Sequence, residues 1–239
     1  MQGTGQGEVW DKAALRDLRG AAYRGDGHGV VAALAGRPLD RVLQLAGDGL
    51  LAALAQRTAV GMELARSCHD QLRARDAEGD KELADELAAA LGGPAPLLRP
   101  VPVNLDELSG CLEGDPAFGG GRLDLTTGEV WPAGVAELGT DADERDDDEA
   151  PDRWLAVECP GSRSGYRDMV HFAATVSDRG LADRLDIALN GRGAFRRFKD
   201  LLGREPAELE RWWVYSEDRR RGRARAWLAT HGLRPAVRG

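Results

Sequence analysis

Four prolines fall within nine residues, Pro94, Pro96, Pro100 and Pro102, and they divide the chain. Proline lacks a backbone N–H and fixes φ near −65°, so this stretch can be neither a helix interior nor a central strand. It predicts an extended linker over 94–102. Before it, apolar residues recur at helical spacing; after it, polar–apolar alternation appears. The expected organisation is a helical domain over 1–93, the linker, and an α+β domain over 103–239.

In the first part, the pattern opening at Trp10-Asp11-Lys12-Ala13-Ala14-Leu15 continues through Leu18 and Ala22. Val30, Val31 and Leu34 follow, then the stop Gly36-Arg37-Pro38. Val60 to Arg75 and Lys81 to Leu91 read as further helices, the last closed by Gly92-Gly93-Pro94. A Gly-Asp pair recurs at Gly25-Asp26, Gly47-Asp48 and Gly79-Asp80, each expected to punctuate the chain before a short apolar helix. The intervals of about 22 and 32 residues differ, so this is not a true repeat. Antiparallel helical hairpins are expected, with a degenerate helical-repeat surface as the alternative.

In the second part, Asn104 or Asp106 can cap a helix carrying Leu105, Leu108 and Leu112. Arg122-Leu123-Asp124-Leu125, the turn Thr126-Thr127-Gly128 and Glu129-Val130-Trp131 read as a β-hairpin, with Leu123, Leu125 and Val130 inward. Trp154 to Cys159 reads as a third strand. An acidic loop is expected over 139–152; it lacks the residue order of a calcium-binding EF-hand loop. The remainder is helical, with Met169 and Phe172 on one helix and Leu181, Leu185 and Leu189 on the next. Asn190-Gly191 is a stop, and Phe195, Phe198, Leu201 and Leu202 are expected to face the core of the helix that follows. Pro206 starts the last one or two helices. The fold class is therefore α+β: an N-terminal all-helical domain, then a small three-stranded antiparallel sheet packed against C-terminal helices.

No catalytic set emerges. His28, His69, His171 and His231 lie in four separate segments, none in a His-Glu-x-x-His arrangement. His171 is expected to be partly buried and hydrogen-bonded. Cys68 and His69 are neighbours on a helix and diverge by about 100°, so Cys68 reads as core. Gly161-Ser162-Arg163-Ser164-Gly165 puts an arginine where a nucleophile elbow needs its serine. Cys68, Cys111 and Cys159 have neither zinc spacing nor a disulfide framework, which points to a reducing cytoplasm. No metal or cofactor is expected, and an enzyme with a pocket between sheet and helices ranks last among the functional readings. No apolar run is long enough for a membrane span, and Met1 to Trp10 does not read as a signal peptide.

The net charge of −8 is uneven: residues 160–239 carry +7 and residues 1–159 carry −15. The cations concentrate in two places. Arg192, Arg196, Arg197 and Lys199 flank or occupy one amphipathic helix, and Arg219, Arg220, Arg221, Arg223 and Arg225 lie in the next. Salt bridges to Glu205, Glu208, Glu210, Glu217 and Asp218 are the ordinary expectation; nucleic-acid or other anion binding is the alternative. Trp212 and Trp213 cannot face the same side of a helix, so one packs inward and the other meets the N-terminal domain, a partner or solvent. The leading reading is a non-enzymatic cytoplasmic binding or regulatory module. Its contact surface would be Arg192, Arg196, Arg197, Lys199 and whichever of Trp212 and Trp213 is exposed, and its partner a protein.

The second part resembles the uncharacterised bacterial family UPF0158. The resemblance rests on Leu105-Asp106-Glu107-Leu108, Leu123 to Val130, the Trp154–Cys159 strand, and above all Ala188–Leu202 with Arg211-Trp212 through Arg225-Ala226-Trp227-Leu228. It covers about 103–234 and leaves the helical part outside. The resemblance implies no activity that can be carried over residue by residue.

Overall fold

The computed structural model describes residues 10–113, 117, 119–133 and 153–237; the acidic stretch expected at 139–152 lies outside them. Ten helices and five short strands make an α+β fold among the described residues.

Five helices form the first part: α1 (Lys12–Tyr23), α2 (Gly27–Leu34), α3 (Leu43–Ala55), α4 (Ala59–Arg75) and α5 (Asp80–Ala90). Asp11 caps α1 through the Ala14 amide at 2.8 Å, and Asp26 caps α2 through the Gly29 amide at 2.8 Å. Each carboxylate satisfies a donor that has no partner inside its helix. Helix α3 runs through the middle, and Leu18, Val30, Leu34, Leu72, Leu83 and Leu87 pack around it in one core.

The expected break at Gly47-Asp48 is absent: α3 passes straight through Gly47-Asp48-Gly49. A Cβ on Gly47 would stand 2.5 Å from Leu83 Cδ2, and one on Gly49 2.7 Å from Val30 Cγ2. The two glycines are therefore points of close helix approach. Each costs roughly 1 kcal/mol of helix propensity against alanine, a loss that the packing offsets. The other two Gly-Asp pairs do stand at helix starts.

Beyond Pro94 the chain is extended, as proline requires. Arg99–Val101 forms β1, which pairs in parallel with β5 (Leu233–Pro235) near the other end of the described chain. Asn104 caps α6 (Leu105–Leu112), accepting from the Asp106 amide at 3.0 Å. Strands β2 (Gly121–Asp124), β3 (Val130–Pro132) and β4 (Trp154–Val157) form an antiparallel sheet in the order β3-β2-β4. Arg122 pairs with Trp131 on one side and Ala156 on the other. Leu123 and Val157 enter a second core with Leu108 and Leu228, and Leu125, Val130 and Leu155 pack against it. Asp124 is fully buried at the hairpin turn. It accepts from the Thr126 and Thr127 amides at 2.7 and 3.1 Å and from Arg153 Nε at 2.8 Å. Burial pushes its carboxyl up, but the Arg153 and backbone hydrogen bonds outweigh that and hold it below 3.8, the ordinary value.

Four helices complete the chain: α7 (Arg163–Ala173), α8 (Arg179–Leu189), α9 (Ala194–Leu202) and α10 (Pro206–Thr230). A third core joins them around Phe172, Phe198 and Trp212, whose rings meet edge to face at centroid separations of 4.9 to 6.2 Å. Phe195 does not join it. The buried stripe of α9 is Ala194, Phe198 and Leu202, spaced four apart, and Phe195 beside it is 38% exposed against Gly165 of α7. His171 likewise proves exposed, on the outer side of α7 from Met169 and Phe172.

Helix α10 is a single rod of 25 residues, about 37 Å long at 1.5 Å per residue. All three cores use it. Leu209, Trp212 and Tyr215 face the aromatic core, Ala224 and Leu228 the sheet core, and Val214 the helical one. Gly222 lets α10 approach the turn before α5 backbone to backbone: a Cβ there would collide with the Glu78 carbonyl.

Gly222→Ala should destabilise the chain by about 1–3 kcal/mol through overpacking, read as a lower urea midpoint. Gly110→Ala, exposed in α6 with open space around it, should be neutral or stabilising by up to about 1 kcal/mol. Asp124→Asn should cost about 1–3 kcal/mol at neutral pH. Because the Asp124 pKa is lowered on folding, its contribution is present above pH 3.8 and lost as pH falls through the folded value. Urea titrations of both proteins should therefore converge at acid pH.

Candidate functional site

The face of α10 toward the helical part carries Val214, Asp218, Gly222 and Arg225, at spacings that place them on one stripe. Arg225 is 1% exposed and has three partners: Nε donates to Gln44 Oε1 at 3.1 Å, Nη1 to Glu86 Oε1 at 2.8 Å, and Nη2 to Asp48. Gln44 passes the network on, donating from Nε2 to Asp80 Oδ1 at 2.9 Å. Arg75 grips Asp80 with Nε and Nη2 at 2.7 and 2.6 Å and reaches Asp218 with Nη1 at 2.7 Å. Asp218 in turn accepts from the Gln44 amide at 2.8 Å. Val42, the residue at the cap position of α3, supplies no side-chain cap, so an aspartate 174 residues away in α10 does that work. Burial pushes the Glu86 and Asp218 carboxyls above their ordinary range, against the pull of Arg225 and Arg75 respectively. Burial also drives the neighbouring Cys68 thiol up to about 12, so it stays protonated, as an inert core cysteine.

Two clefts open beside this network. One, about 480 Å³, has Arg16 of α1 and Arg24 just after it on its walls with Asp48, Glu86, Asp106 and Arg221. The other, about 710 Å³, runs between the start of α1, the loop before α3 and the first half of α10. Its walls include Trp10, Arg41, Arg211, Trp213, Tyr215 and Arg219. Trp10 is held by its indole N–H, which donates to the Pro38 carbonyl at 2.7 Å. Arg211 lies over the Phe172 ring at 4.1 Å and donates to Glu208 and Thr175. Arg219 lies 5.1 Å from the Tyr215 ring. Neither Arg219 nor Arg41 forms an ion pair among the described residues. Trp213 is 51% exposed. Both volumes suit a small molecule or the anchor residues of a peptide. Neither cleft is lined by a histidine, a cysteine or a residue of the three-stranded sheet. Among the described residues no group of three or more His, Cys, Asp or Glu side chains could hold a metal ion.

The structure separates the six residues singled out from the sequence. Trp212 is the inward tryptophan, packed in the aromatic core; Trp213 is the outward one, in the larger cleft. Arg197 closes the C-terminus of α8. Its Nε donates to the Ala188 carbonyl at 3.1 Å, and Nη2 donates to the carbonyls of Ala188 and Asn190 at 2.9 and 3.0 Å. Arg192, Arg196 and Lys199 are exposed, Arg196 standing 3.8 Å from Asp200. None of these four cations lines the cleft that holds Trp213.

The arginines later in α10 pair mostly with distant acids rather than with their own helix. Arg221 meets Asp48 at 3.2 Å and Asp106 at 2.5 Å, while Arg223 meets Asp168 at 2.6 Å and also pairs with Glu113. Sequence reasoning missed Gln44, Asp48, Glu86, Trp10 and Arg41, and it named Arg219 only within a basic cluster. Only the Gly-Asp-Gly string hinted at Asp48, and it was read as a break. A further cluster sits at the sheet, where Arg122 lies 4.2 Å from the Trp154 ring and 5.3 Å from Trp131.

Arg197→Ala should lower stability by about 1–2 kcal/mol, because the carbonyls ending α8 lose a charged donor. Arg196→Ala should stay within about 0.5 kcal/mol of the parent. Paired urea titrations check this.

Residues 123–239 match the model of UPF0158, an uncharacterised protein family. A UPF0158 protein of Pseudomonas aeruginosa is 28% identical over 141 residues, which are 59% of this chain and 90% of that protein. No solved structure matches the chain. The family match takes in the three-stranded sheet from Leu123 and the helices α7 to α10, and leaves the five N-terminal helices outside. From Leu123 onward, the chain is thus similar to the UPF0158 family.

Proposed function

We propose that the chain is a non-enzymatic binding protein of the bacterial cytoplasm, and that its contact surface is the larger cleft. One observation carries this reading: a half-exposed Trp213 stands in a cleft with Trp10, Tyr215 and two arginines, Arg41 and Arg219, that have no ion pair among the described residues. Tryptophan, tyrosine and arginine are the residues that concentrate binding energy at protein interfaces, because they bury much area at low entropic cost. The three unpaired cysteines support the reducing location. The partner is a protein that places an apolar anchor against Trp213 and a carboxylate toward Arg41 and Arg219. The anion-binding alternative rests on the exposed Arg192, Arg196 and Lys199.

A photo-cross-linking residue at position 213 should give a protein adduct in cells, and the same residue at Leu97, fully exposed on the linker, should not. Arg41→Ala with Arg219→Ala should weaken the adduct at least about fivefold, the loss expected for two charged contacts. Equal labelling from both positions would refute the assignment. A nuclease-sensitive adduct, or a low-salt gel shift lost in Arg192→Ala/Arg196→Ala/Lys199→Ala, would favour nucleic acid instead.

A further inference from the structure

The stripe on α10 that receives the helical part has the character of a protein–protein interface. Both sides contribute charged groups that meet across it, out of water. Arg225 and Asp218 come from one side; Gln44, Asp48, Arg75, Asp80 and Glu86 come from the other. The backbones touch where Gly222 meets Glu78 and Gly79, since a Cβ on either glycine would collide with the facing carbonyl. The direct covalent link between the two sides is thin. Gly92 to Ala95 is exposed, and Leu97 is fully so. The Pseudomonas relative has 90% of its length in a match of 141 residues, so it is too short to hold counterparts of both sides. The family unit therefore exists without a helical part of this size.

We propose that this face of α10 is a protein-docking face, and that residues 10–91 occupy it in this chain as a separate partner would. Its recognition chemistry is specific. Asp218 takes the open N-terminus of a helix, Arg225 takes a carboxylate one turn along that helix (Asp48) and a second from a neighbouring helix (Glu86), and Gly222 takes a close-packed turn. The partner it fits is a helical protein with an uncapped helix start followed four residues later by an acid. This surface adjoins the Trp213 cleft, with Arg75, Val214 and Asp218 at their common edge, but its test reads the association of the two sides and not what the cleft binds.

The full chain should carry a protease recognition sequence inserted between Pro94 and Ala95, and be cut after folding. The two fragments should co-elute at the size of the parent in 0.15 M and in 1 M salt, since buried ion pairs are little screened. Gly222→Ala and Arg225→Met should each raise the dissociation constant of the cut protein at least about tenfold, the usual effect of disturbing an interface hot spot. Circular dichroism of each uncut variant must first show a folded chain; Gly222→Ala, which removes no charge, keeps the test open if Arg225→Met fails to fold. Fragments that separate at micromolar concentration, or folded variants whose fragments bind like the parent's, would overturn the proposal.

Discussion

The structure turns on one guanidinium. Arg225 lies out of water with two carboxylates and an amide oxygen on its three nitrogens. Removing an ion from water costs several kcal/mol even after relaxation, and the attraction of its partners roughly repays it when every donor is matched. Such a network adds little net stability but fixes position strongly. Sliding or turning α10 by one residue against α3 would leave Arg225 unmatched and free the Asp218 cap from the Gln44 amide. The apolar cores favour bringing these helices together; the polar stripe decides where they stop.

Packing and charge depend on each other at this seam. Arg225 reaches Gln44, Asp48 and Glu86 because α10 lies close to the helical part, and that closeness needs Gly222 against Glu78. Asp48 faces the seam because α3 continues through Gly47 and Gly49. Those glycines in turn admit Leu83 and Val30. Three glycines that look like weakness in isolated helices are thus what brings the charges within reach.

Local signals in the sequence were reliable where the structure is local. The hairpin at Leu123–Trp131, the Asn104 cap and the Pro206 helix start all follow from turn chemistry and short-range patterning. Legibility failed where tertiary contact overrides local preference. Gly47-Asp48-Gly49 has the text of a turn, and only Leu83 and Val30, far along the chain in both directions, explain why it is helix. Phe195 and Phe198 are equally apolar, yet a helix of nine residues presents one stripe to the core, and Ala194 and Leu202 fix it on Phe198. The α10 arginines offered nearby acids as partners, while the decisive ones, Asp48 and Glu86, are 177 and 139 residues away. Half of the candidate site was visible as Trp213. The rest of its cleft comes from α1 and the loop before α3, whose apposition to α10 no local pattern encodes.

The charge asymmetry of the chain acquires a different meaning from this arrangement. A C-terminal part with a strong excess of arginine next to an acidic N-terminal part suggests a basic surface waiting for an anion. In the folded chain much of that excess faces inward. Arg221, Arg223, Arg225 and Arg234 are matched by Asp48, Asp106, Glu113, Asp168 and Glu86. Ion pairs at this depth contribute almost nothing to the field outside the molecule, because each cation is cancelled within a few ångströms. Outside these pairs many cations stay exposed, among them Arg163, Arg167, Arg179, Arg192, Lys199 and Arg204 in the second part. The buried pairs thus lower the basic character of the second part without removing it, and the exposed cations left over belong to α7, α8, α9 and the turns beside them rather than to α10. On α10 itself the cations that line the cleft beside Trp213 are Arg211, paired with Glu208, and Arg219, next to the apolar wall of Trp10, Trp213 and Tyr215, so the charge this helix brings to the cleft stands beside aromatic surface rather than in a basic stripe.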